Sequence, residues 1–174
     1  MITGMDVNDL QHALGGVVLE SAYMEQALRA AFSALIGSKY AAAVDARLTA
    51  AALIEDCERI TRHHTDIPAP AKVALWAALR ACHEVNRARN RVIHDAWAAR
   101  PGDVMITLPG DRTPHDMTVT VRTPAEVRQL AGQLAAAAEE LKAAMTAALG
   151  ADWVLAEDQL RRELGHDISA DPGS

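Results

Sequence analysis

Apolar residues return every third or fourth place along the first helix-length stretch: Leu10, Leu14, Val17, Met24, Leu28, Ala31 and Leu35, with Ser21 at an inward position. That spacing is the seam of a helix packed along its axis against others. Asp6 or Asn8 caps this predicted helix and Gly37 ends it. Gly15 and Gly16 interrupt the seam at a cost in helix stability, which predicts close approach of a neighbouring helix. Ser21 reads as a small residue tolerated at a tight crossing. A second helix is predicted from about Ala41 to His64, burying Val44, Leu48, Leu53, Cys57 and Ile60. The two prolines of Asp66-Ile67-Pro68-Ala69-Pro70 break the pattern, and Pro70 opens a third helix. That helix carries Val73, Leu75, Trp76, Leu79, Cys82, Val85, Val92, Ile93 and Trp97 inward and stops before Pro101-Gly102.

The period then shifts from helical to alternating. Val104, Ile106 and Leu108, followed after turn residues by Thr118-Val119-Thr120-Val121, predict a β-hairpin inserted over about 103–122. Thr123-Pro124-Ala125-Glu126 is a helix start of capping-box type. The fourth long helix repeats the seam through Val127, Leu130, Leu134, Ala137, Leu141, Ala144 and Ala148 to Gly150. A short last helix, capped by Asp152 and ended by Gly165, offers Val154, Leu155, Leu160 and Leu164. The tail 166–174 has nothing to bury and is expected to be disordered. The expectation is an all-α bundle of four to five helices, a single domain over 1–165, with one small β-hairpin insertion.

Composition agrees with a helical protein, since half of the 174 residues are apolar, only 3% are aromatic, and alanine dominates. The net charge of −6 argues against wholesale adhesion to nucleic acid or anionic membrane. From Arg80 to Arg100, however, five arginines face Glu84 and Asp95, a formal +3 that leaves −9 on the rest. Such an island suggests a local anion site. Cys57 and Cys82 form no Cys-x-x-Cys pair, nothing at the start reads as a signal peptide, and no apolar run reaches spanning length; a reduced cytoplasmic protein with no membrane partner is expected.

The island centres on Arg87-Ala88-Arg89-Asn90-Arg91-Val92-Ile93-His94. At about 100° per residue, His83, Arg87, Asn90, Arg91 and His94 share one side of the third helix, while Arg89 lies roughly 140° from His94. Arg89 and His94 converge only if the helix distorts, the arginine side chain swings, or a second copy supplies one of them. A plain reading treats these arginines as a solvated helix face and the histidine as a surface residue. Cys57, His63, His64, Cys82 and His83 match no compact zinc spacing, so no metal or cofactor is expected. His12, His115 and His166 are isolated. Gly15-Gly16 lacks the strand before and the Lys-Ser/Thr after it that a phosphate loop needs, and no Gly-x-Ser-x-Gly elbow is present. Trp76, Trp97 and Trp153 stand at apolar helical positions and read as core.

Arg89-Asn90, three residues, then His94, late in a helical bundle, resembles the signature of the HEPN superfamily, the higher eukaryote and prokaryote nucleotide-binding domain. The resemblance covers roughly residues 8–149. It implies metal-independent endoribonuclease chemistry at two motifs meeting across a homodimer, in a toxin or defence effector with a possible antitoxin or regulatory partner. The residue types suit that chemistry. A histidine near neutral pKa can take the 2′-hydroxyl proton, and an arginine can hold the phosphorane oxygens. The implied roles are His94 as acid or base, Arg89 as transition-state stabiliser and Asn90 as orienter. Arg87, Arg91 and His83 would extend the RNA-binding surface. Members acting beside a nucleotidyltransferase antitoxin often carry a tyrosine two residues after the histidine; Ala96 stands there in this chain, which argues against regulation by modification at that site. The alternative is a non-catalytic helical module that binds RNA, a nucleotide or an acidic protein.

Overall fold

The computed structural model describes residues 7–38, 40–94, 96–100, 104–108, 120–150 and 153, with the side chains of 7, 42 and 96–121 outside that description. The chain is mostly helical: α1 (Val7–Ile36), α2 (Ala41–Asp45), α3 (Ala50–His63), α4 (Ala69–His94) and α5 (Pro124–Leu149). Short strands β1 (Ala96–Arg100), β2 (Val104–Leu108) and β3 (Thr120–Arg122) lie between α4 and α5.

The seams read from the sequence account for most of the buried residues. Leu10, Val17, Met24, Leu28, Ala31 and Leu35 of α1 are buried, as are Val127, Leu130, Leu134, Ala137, Leu141 and Ala144 of α5. The α1 stop is Gly37, whose φ of 62° is the left-handed conformation that glycine adopts without Cβ strain; Gly150 ends α5 in the same way at 63°. α5 starts as a reciprocal capping box, with Thr123 N donating to Glu126 Oε2 at 2.7 Å and Glu126 N donating to Thr123 Oγ1 at 3.2 Å.

Several expectations need correction. The single helix expected over 41–64 is two helices, because Thr49 caps a new start by accepting from Ala52 N at 3.3 Å. Val44 sits on the short α2 and is 57% exposed, where a long helix would have buried it. Val73 and Trp76 on α4 are also exposed, at 65% and 37%. The third helix ends at His94, six residues early, so Trp97 lies in β1 and not on a helix. The hairpin insertion is not supported in the two-stranded form expected: the backbone pairs β1-β2-β3 as an antiparallel three-stranded sheet, with Ala98 opposite Ile106 and Ile106 opposite Val121. Ala96–Arg100 is alanine-rich and continues the helical rhythm, and pairing with β2 overrides that local preference. The last helix expected over 152–165 and the tail 166–174 lie outside the described residues, apart from Trp153, which is buried as expected.

The chain forms two compact units, Met1–Met24 with Ala81–Ala138, and Glu25–Arg80 with Glu139–Ser174. In the first, α1 and α5 are joined at Gly16, where a Cβ would stand 3.6 Å from that of Ala131, and by an Asp9–Arg128 ion pair at 2.5 Å. A Cβ at Gly16 would make an ordinary contact, and one at Gly15 would meet nothing within 4 Å. The close neighbouring helix expected at this glycine pair is thus α5 at Gly16, in ordinary contact, while Gly15 faces no such neighbour. Cys82 Sγ lies 3.6 Å from the Ala137 carbonyl, tying α4 to α5, and Ser21 Oγ returns its proton to the Val18 carbonyl at 2.9 Å, which satisfies a buried hydroxyl on its own helix. In the second unit, Phe32 and Leu35 of α1, Leu53, Ile54 and Cys57 of α3, Leu75 and Leu79 of α4 and Met145 of α5 are buried. There Arg29 binds the Asp45 carbonyl, the Leu48 carbonyl at 3.0 Å and Glu25 Oε1 at 2.6 Å, which fastens α2 and the turn after it to α1.

Candidate functional site

The last three turns of α4 belong to the first unit and carry all six residues singled out by the sequence. His83, Arg87, Arg91 and His94 are exposed, whereas Arg89 and Asn90 are half-buried. The division follows from the helical register. Cys82, Asn86 and Val92 are buried, and Arg89 stands three residues after Asn86 and seven after Cys82, on the same inward line. Arginine therefore occupies a position whose neighbours in the register are core residues. Its long aliphatic stem suits that place, and its charged head must find a way out.

The head finds Asn90. Arg89 Nη1 donates to Asn90 Oδ1 at 2.9 Å, while Arg89 Nε is buried with no hydrogen-bond partner. Asn90 lies on the His94 side of the helix, about 40° from it and one turn earlier. The bond thus draws the guanidinium out of the inward line and toward the face that carries Arg87, Arg91 and His94. Among the described residues no hydrogen bond joins Arg89 or Asn90 to His94, and α4 is unbroken through the motif. Of the three ways to bring Arg89 and His94 together, a break in the helix is not used, and the hydrogen bond described for the arginine head ends at Asn90. The Oδ1 of Asn90 thus accepts from Arg89.

Arg91 and His94 fall in the last turn, where unpaired carbonyls give the helix end partial negative charge and basic side chains are favoured. Asn86, only 4% exposed, is the residue that sequence reading missed. An amide between Cys82 and Val92 on the apolar line was the available signal. Arg122, at the end of β3, also has a buried Nε without a partner.

Among the described residues no three His, Cys, Asp or Glu side chains gather as a metal site. His63 and His64 belong instead to the rim of an apolar cleft of about 520 Å³ in the second unit, walled by Phe32, Ile36, Val44 and Ile60. No helix among the described residues is long and apolar enough to cross a membrane. No family model, curated protein or solved structure matches the chain.

Proposed function

We propose that the C-terminal turns of α4 form an RNA-binding face, and that the protein is a metal-independent endoribonuclease of HEPN type acting as a homodimer. The observation that carries this reading is the bond from Arg89 Nη1 to Asn90 Oδ1 at 2.9 Å, which brings a guanidinium from an inward position toward an exposed imidazole flanked by two exposed arginines. His94 as base takes the proton of an RNA 2′-hydroxyl, whose oxygen attacks the adjacent phosphorus. Arg89 stabilises the charge on the phosphorane oxygens. The 5′-oxygen leaves with a proton, giving a 2′,3′-cyclic phosphate and a 5′-hydroxyl end. Arg87, Arg91 and His83 bind flanking phosphates. A second copy supplies the acid or the arginine that one unbroken helix holds apart. A role as toxin or defence effector in the cytoplasm, with an antitoxin or regulatory partner, belongs to the same reading.

The half-burial of Arg89 favours a second reading, a non-catalytic RNA- or nucleotide-binding module in which Arg89 is structural and only the outer arginines meet ligand. One experiment separates the two. RNA is incubated in EDTA with the wild-type protein, His94→Ala and Arg89→Ala. The nuclease reading expects cleavage by the wild type alone, ending in a cyclic phosphate. Cleavage that survives either substitution, or that needs added metal, removes it; RNA retention without cleavage selects the binding module.

A further inference from the structure

Among the described residues, the outer face of α1 in the first unit is apolar and exposed. Val18, Leu19 and Tyr23 are 55%, 54% and 54% exposed, and Gly15 and Ala22 beside them are exposed as well. On a helix Gly15, Leu19 and Tyr23 fall one turn apart along a single line, within about 40° of Leu19 on either side, with Ala22 on the same face. Gly15 has no internal reason to be glycine, since a Cβ there would meet nothing within 4 Å, yet it sits mid-helix where glycine lowers helix stability.

The geometry points to a second copy of this chain docking on that face, with the two α1 helices antiparallel about a two-fold axis through Leu19. A two-fold interface pairs residue i with j and j with i. Four residues before Leu19 the face has a notch, Gly15; four residues after it the face has its largest ridge, Tyr23. Antiparallel apposition lays the tyrosine of each copy over the glycine of the other and sets Leu19 against its own counterpart. Parallel apposition would leave a gap at one end and crowd two tyrosines at the other. Charge points the same way. Any charged group near a two-fold axis meets itself, and Gly15, Val18, Leu19, Ala22 and Tyr23 include none. The face thus holds both halves of its own fit. The inference stands on α1 alone and does not rest on the nuclease reading.

Cysteine cross-linking of the full chain tests it, since both native cysteines are buried. Leu19→Cys should form a disulfide-linked dimer under mild oxidation, Gly15→Cys alone should not, and Gly15→Cys combined with Tyr23→Cys should. Residues 15 and 23 are two helical turns apart and cannot bridge within one chain. Light scattering should give twice the chain mass for the wild type. Leu19→Glu should weaken association about a hundredfold, with helical circular dichroism unchanged to show that the variant folds. A wild-type monomer at all concentrations, a dimer that survives Leu19→Glu, or Gly15→Cys cross-linking as readily as Leu19→Cys would each overturn the proposal. RNA cleavage is scored separately on the same samples, so loss of the nuclease reading leaves this result readable.

Discussion

Asn90 holds the guanidinium of Arg89 through one hydrogen bond of 2.9 Å, Nη1 to Oδ1, across adjacent positions of α4. Adjacent residues on a helix point about 100° apart, so the contact requires the two side chains to reach toward each other around the helix. On the nuclease reading Asn90 is therefore a positioning residue for Arg89. In the proposed reaction Asn90→Ala should lower kcat on the order of 10²-fold, the usual effect of a misplaced catalytic group. RNA affinity should change little, because Arg87 and Arg91 stay exposed. Single-turnover cleavage beside a filter-binding titration would show this split, and an equal loss in both would assign Asn90 to binding instead.

Thr123 and Glu126 exchange hydrogen bonds at the start of α5, so each covers a backbone or side-chain donor of the other. Thr123→Ala should cost about 1 kcal/mol, lowering Tm by roughly 2–4 °C for a chain of this size. Glu126→Ala should cost less. The double variant should lose less than the sum of the two, since either substitution alone breaks the reciprocal pair. Thermal melts of the four proteins supply the cycle, and strict additivity would show that the box contributes nothing as a unit.

The long helices were legible in the sequence because their seams persist over many turns and their ends carry strong local chemistry. Gly37, Gly150 and the Thr123–Glu126 box each sit where the pattern placed them. What the sequence hid was decided by distant pairing or by local competition. Thr49 divides one expected helix in two, although its neighbours Ala50, Ala51 and Ala52 favour continuation. Ala96–Arg100 becomes a strand only by pairing with Val104–Leu108. At the candidate site, the opposition of Arg89 and His94 followed from periodicity, and so did the shared face of Arg87, Arg91 and His94. The recruitment of Arg89 by Asn90 did not, because a hydrogen bond between consecutive residues has no spacing signature. Val18, Leu19 and Tyr23 were passed over for the same kind of reason: an exposed apolar face is anomalous only once the opposite face is known to be buried.

Gly15 and Gly37 make opposite expectations for the same substitution. Gly15→Ala meets open space in an unstrained helix interior and should stabilise the monomeric fold by about 0.5–1 kcal/mol. Gly37→Ala forces a Cβ into a φ of 62° and should cost about 1–2 kcal/mol. Urea unfolding of each variant at low protein concentration reads the sign directly, and a destabilising Gly15→Ala would mean that the position is closed from within the chain.

Asp45 supplies a pH dependence with an unusual sign for a carboxylate beside an arginine. Its side chain is buried, Oδ2 has no hydrogen-bond partner, and Arg29 Nη1 stands 3.6 Å from Oδ1 while bonding the Asp45 carbonyl more closely. Burial raises the carboxyl pKa above its ordinary 3.8, and the charge and hydrogen bond of Arg29 oppose the rise without cancelling it. The folded chain therefore keeps this proton to a higher pH than the unfolded chain does. Its contribution to stability is full below about pH 3.8 and is lost as pH climbs through the folded value. Asp45→Asn removes the titration while keeping the shape, so the variant should match the wild type near pH 3.5 and exceed it at pH 7. Arg29→Ala should instead cost about 3 kcal/mol at pH 7, since it leaves a buried carboxylate uncompensated and takes the 3.0 Å bond from the Leu48 carbonyl, while the Asp45 carbonyl keeps the Leu48 N–H at 2.8 Å. Urea titrations at the two pH values decide the matter. A wild type that gains on Asp45→Asn as pH rises would reverse the balance, giving Arg29 more weight than burial.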